Sequence, residues 1–101
     1  MDLTQIPNGE FVIYGTLTVT PGTETRAASL ITQIATQVKS HQGTVYYCIT
    51  QDPANPRLFH LFERYTGKDA FVEHAQLPLV KELFGVVDDF RPVFVEVAQE
   101  A

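Results

Sequence analysis

The chain has 101 residues, a formal net charge of −5, 45% hydrophobic side chains and 19% charged ones. That length holds one domain with one core, burying about two-thirds of the surface its unfolded chain exposes. The acidic balance, without any cluster of Lys or Arg, lacks the positive footprint that phosphate backbones and anionic membranes need, so nucleic acid and membrane surfaces are not expected partners.

No apolar run approaches the roughly 18 residues of a spanning helix, and MDLTQIPNGE has neither the basic start nor the hydrophobic stretch of a signal peptide. The expected location is cytoplasmic. Cys48 is the single cysteine, which excludes an internal disulfide, and three scattered His show no metal-ligand spacing. One domain over 1–101 is expected, with 1–9 as an N-terminal arm and 10–98 as the core.

Phe11 to Thr20, FVIYGTLTVT, is β-branched and aromatic, with Leu17 and Val19 alternating against Thr16, Thr18 and Thr20; it predicts the first strand. Pro21-Gly22 breaks it. Ala27, Leu30, Ile31, Ile34 and Val38 then recur at three and four, predicting a helix from Thr23 to Ser40 with Gln42-Gly43 as its stop. Thr44 to Gln51 reads as a second strand and Arg57 to Thr66 as a third; the short DPANP turn between them predicts a hairpin. A helix over Lys68 to Gln76 is followed by Pro78, suited to the first turn of a further helical piece through LVKELFGVV, and Pro92 to Val97 closes as a fourth strand. The order β-α-β-β-α-β predicts a ferredoxin-like α+β domain, a four-stranded antiparallel sheet with its helices on one face.

A sheet with one wet face should alternate apolar with polar residues. Here Val45, Tyr47 and Ile49 oppose Tyr46 and Cys48, while Leu58 and Phe62 oppose Phe59 and Leu61. Both faces are apolar, so the second is expected to pack against another copy in a two-fold homodimer.

The run FHLFERYTGKDAFVEH, Phe59 to His74, carries the candidate chemistry. Counting by twos, Phe59, Leu61, Glu63 and Tyr65 share the inward face, and His60, Phe62 and Arg64 the other. In the next helix Ala70, Phe71 and His74 form a stripe toward the same interior. A carboxylate and an imidazole thus converge among apolar neighbours. The structural alternative is an ion-paired Glu63 and a satisfied core histidine. His41 reads as a helix-terminal cation and His60 as a residue of the dimer seam, with Arg64 paired to Glu96 or Asp89.

Three pieces resemble the antibiotic biosynthesis monooxygenase family: Pro21-Gly22, Gly43-x-x-x-Tyr47, and Phe59-x-Leu61-x-Glu63-Arg64-Tyr65 with His74, Pro78 and an apolar helix beyond. The resemblance runs from Phe11 to Val97. It implies a dimeric α+β barrel with one pocket per subunit between sheet and helices, and matches the family's glutamate and histidine to Glu63 and His74. Tyr65 stands where the family commonly has Trp, and His41-Gln42 where it has Glu-Pro. The haem-degrading branch carries asparagine, tryptophan and an iron-binding histidine at positions occupied here by Gly15, His74 and Phe84, so haem degradation is not implied.

The resemblance implies a monooxygenase that uses no metal or flavin and oxidises a small quinol- or anthrone-like aromatic with O₂. In this scheme His74 is the base, Glu63 orients it, Tyr65 offers a hydroxyl to a substrate oxygen, and Phe59, Leu61, Phe71, Leu83 and Phe84 are apolar walls. Two other readings stand beside it: an isomerase of a small carbonyl compound using the same residues, and a non-catalytic ligand-binding or structural dimer whose core side chains fill the pocket. A cavity of roughly 300 Å³ or more touching Glu63 and His74 separates an enzyme from a solid core.

Overall fold

The computed structural model describes residues 3–98. Residues 1 and 2 of the expected arm and 99–101 of the expected domain lie outside the described residues. Strands β1 (Phe11–Val19), β2 (Thr44–Gln51), β3 (Leu58–Tyr65) and β4 (Val87–Glu96) form one antiparallel sheet in the order β2-β3-β1-β4. Helices α1 (Glu24–Gln37), α2 (Lys68–Ala75) and α3 (Pro78–Phe84) complete a ferredoxin-like α+β fold. The apolar stripe Ala27, Leu30, Ile31 and Ile34 of α1 is buried against the inward sheet residues Phe11, Ile13, Leu17, Val19, Phe59 and Leu61. The arm is anchored through Ile6, which is buried in the same core.

Two stretches depart from the expected boundaries by more than one residue. The first helix gives way at Val38–Ser40 to a 3₁₀ turn, which still buries Val38. The helical piece starting at Pro78 ends at Phe84, and β4 begins at Val87 rather than Pro92. A bulge explains the second difference: Thr18 faces Asp89 while Val19 faces Val87. The extra residue puts Val87 and Phe90 on one face three positions apart, a spacing that imitates a helix. Pro92 is accommodated because β4 is an edge strand.

The hairpin of β2 and β3 pairs Tyr47 with Glu63 and Ile49 with Leu61. Val45 falls in a register shift between Thr44 and Tyr46 and is exposed, so it does not join Tyr47 and Ile49 on the inward face. Among the described residues the Arg64 guanidinium bonds Glu10 rather than Glu96 or Asp89, and Asp89 binds Arg91 at 2.7 Å. The reason is register. Asp89 lies opposite Thr18, at the far end of β1 from Val12, the residue facing Arg64, and Glu96 shares the inward parity of Phe11.

The outward face carries an apolar band across all four strands. Val93, Tyr14, Phe62 and Cys48 face one another in register, and beside them run Val95, Val12, Arg64 and Tyr46. Tyr14, Tyr46, Phe62, Val93 and Val95 are each at least 40% exposed, and the Tyr46 and Phe62 rings meet edge to face at 5.9 Å.

Candidate active site

Glu63 reaches the interior because strand parity places it there, between Leu61 and Tyr65 on β3. His74 arrives from the last turn of α2, one helical turn beyond Phe71. Gly43 sets how closely that helix approaches, since a β-carbon there would lie 2.5 Å from the Ala70 β-carbon. The result is a buried pair: His74 Nε2 stands 3.8 Å from Glu63 Oε1, and the two side chains are 7% and 9% exposed.

Tyr65, fully buried, donates its hydroxyl to Glu63 Oε1 through a short hydrogen bond. Its ring packs on Phe11, Phe71 and His74, with 5.3 Å between the Tyr65 and His74 centroids. His74 Nδ1 is buried without a hydrogen-bond partner.

Electrostatics follow from burial. Desolvation pushes the Glu63 carboxyl up to about 7, against the lowering effect of the Tyr65 hydrogen bond. Desolvation lowers His74 to about 4, and the nearby His41 adds to that effect. Burial also raises the Tyr47 and Tyr65 phenols, helped by the Glu63 charge. Both tyrosines therefore stay protonated at neutral pH. Of the Glu63–His74 pair, the carboxyl is the group that titrates near neutrality, and the imidazole is neutral there.

Glu63 and His74 line a cavity of about 190 Å³ between the sheet and the helices. Leu61, Phe71, Leu83 and Phe84 line it, and Phe84 is partly exposed. Phe59 is buried in the core but does not border it, and neither does Tyr65. Tyr65 thus holds Glu63 rather than facing the cavity. Ile13, Leu17, Ile34, Tyr47, Ile49, Val80, Lys81 and Phe90 complete the lining. Of these Tyr47 is set directly beside Glu63 by the hairpin register.

The volume falls short of the roughly 300 Å³ expected of a general ligand pocket, yet the interior is not solid. A cavity of about 150 Å³ holds benzene, so this one suits one or two rings. His74 also borders a second, more polar cleft of about 340 Å³ shared with Ser40, His41, Thr44 and Glu73. His41 is placed there, and His60 on the outward face pairs with Asp52 at 2.8 Å, away from the cavity. Among the described residues no group of three or more His, Cys, Asp or Glu could hold a metal ion, and no helix is long and apolar enough to cross a membrane.

Comparison with solved structures places the fold. A putative antibiotic biosynthesis monooxygenase from Deinococcus radiodurans superposes with a TM-score of 0.74 at 21% identity, covering 90% of this chain and 95% of that one. A second protein so described, from Nitrosomonas europaea, has a TM-score of 0.74 at 13% identity over 92% and 94% of the two chains. A conserved protein from Methanosarcina mazei Go1 gives 0.70 at 15% identity over 87% and 92%. At these identities the likeness speaks for the fold alone. A search of curated proteins finds no match. The antibiotic biosynthesis monooxygenase model, however, matches residues 10–85, most of the chain and both members of the Glu63–His74 pair, and the chain belongs to that family.

Proposed function

We propose that the chain is a monooxygenase that oxidises a one- or two-ring hydroxyarene with O₂, the deprotonated substrate itself supplying the electrons. The observation that carries this reading is the Glu63–His74 pair in an apolar cavity, with burial holding the carboxyl at about 7. A general base works best when its pKa lies near the operating pH. Glu63 therefore takes the substrate proton, which reverses the expected division of roles, and the neutral His74 imidazole orients the substrate and stabilises its anion.

The steps balance. Transfer of the hydroxyl proton to Glu63 leaves an aryloxide, whose charge is shared with the ortho and para ring carbons and which passes one electron to O₂. The resulting radical and superoxide join in a C–O bond. Glu63 returns its proton to the outer peroxide oxygen, and loss of the one hydrogen on the oxygenated ring carbon as a proton, with O–O cleavage and departure of hydroxide, leaves a quinone carbonyl and water. The apolar walls keep bulk water from the anion.

Oxygen uptake on a panel of small quinols and naphthols tests this. Substrate-dependent uptake is expected, with His74→Ala slower by roughly a hundredfold. Unchanged uptake in that variant removes His74 from the mechanism, and conversion of a carbonyl substrate without O₂ selects an isomerase instead.

The apolar outward face supports a two-fold homodimer. Fully burying each of its large side chains is worth roughly 1.5–3 kcal/mol, several of them together rivalling a small domain's stability. Sedimentation should show a dimer, and paired Tyr14→Lys and Phe62→Lys exchanges should dissociate it. A monomer mass independent of concentration down to micromolar overturns the dimer.

A further inference from the structure

We propose that Lys81 selects substrates that carry an anionic group, so that the natural ligand is a hydroxyarene bearing a carboxylate or comparable oxyanion; this rests on the hydroxyarene reading above. The cavity lining contains one formal cation, Lys81, and one acid, Glu63. Glu63 is buried in the interior beside His74, whereas Lys81 is solvent-exposed on α3, three residues before the partly exposed Phe84. The lining therefore joins a buried Glu63–His74 pair and apolar walls to one exposed lysine.

Lys81 takes part in none of the described ion pairs. Its neighbour Glu82 is held by Arg26 at 2.8 Å. This exposed lining lysine thus has no ion-pair partner among the described residues, in a protein whose net charge of −5 otherwise repels anions. The competing explanation is that the lysine's four-carbon stem merely covers apolar wall while its head stays in water. A second one is that it complements the C-terminal end of α3.

The two kinds of role separate in Lys81→Met, which keeps the stem and removes the charge. Fluorescence titration of a hydroxynaphthoate and of the corresponding naphthol, performed without O₂ so that turnover does not enter, gives the readout. In the unaltered protein the naphthoate should bind more tightly than the naphthol, and added salt should narrow the gap. In Lys81→Met the naphthoate should lose about fivefold in affinity, the scale of a partly exposed ion pair, with the naphthol unchanged. Lys81→Glu should lose more. Equal affinities in the unaltered protein, failure of either probe to bind it, or equal losses of both probes in Lys81→Met would overturn the proposal. Binding that follows the expected pattern without any oxygen uptake defeats the oxygenase reading and leaves the anion selectivity standing.

Discussion

Exchanging Glu63 for Gln is expected to lower turnover by about a hundredfold to ten-thousandfold, the usual contribution of a positioned base. The same exchange should change the pH dependence of stability. Burial raises Glu63 in the folded chain to about 7 from an ordinary 4.5. Such a group contributes fully below the unfolded value, and its contribution is lost as pH rises through the folded value, here on the order of 3 kcal/mol between pH about 4.5 and 7. His74, lowered to about 4 from 6.5, has the opposite slope: its contribution is complete above 6.5 and lost as pH falls toward 4.

The two slopes oppose each other over the shared range, so this pair alone leaves the unaltered protein nearly level there. Glu63→Gln retains only the His74 slope. Its stability relative to the unaltered protein should therefore climb from about pH 4.5 to 7 and then level off. Urea unfolding at a series of pH values measures this difference, in which other titrating groups cancel. A pH-independent difference would falsify the raised carboxyl. Activity adds a separate check: if Glu63 is the base, kcat/KM rises through pH about 7, whereas a base titrating like His74 gives a level profile across neutrality.

The second large effect is at Gly15. It sits mid-strand in β1, between β3 and β4, with φ of +147°. A β-carbon there would lie 2.0 Å from the Arg91 carbonyl oxygen and 3.0 Å from its carbon. Backbone atoms of a paired strand cannot swing aside as a flexible side chain does. Gly15→Ala is therefore expected to cost about 3 kcal/mol or more, combining an unfavourable dihedral with a clash inside the sheet. Gly22→Ala is the control: its φ is +88° but nothing lies within 4 Å, so only the dihedral penalty applies, about 1–2 kcal/mol. Denaturation midpoints compare the two. Equal losses would show that the Arg91 contact carries no weight.

Much of this molecule was legible before folding was considered. Strand parity alone put Glu63 on the inward face with Phe59, Leu61 and Tyr65, and helical spacing put Phe71 and His74 on one stripe. Those periodicities are local, set by backbone geometry within one element. The short DPANP turn likewise set β2 against β3 as a hairpin; the pairing of Tyr47 with Glu63 came with the register of the folded sheet.

What local pattern misread was governed by pairing between distant segments. The bulge opposite Val19 gave the start of β4 a helical spacing, and sheet register sent Arg64 to Glu10 rather than to Asp89 or Glu96. The protonation balance of the site was also beyond reach. Desolvation and the charge of a protonated histidine push Glu63 in opposite directions, and only the packing of α2 against the sheet decides between them. That packing buries both groups, leaves the imidazole neutral and turns Tyr65 onto the carboxyl instead of the cavity. The sequence by itself determined which residues of an element share a face, because each element's period follows from its own residues. Tertiary structure decided which of them holds the proton, because desolvation depends on everything packed around the pair.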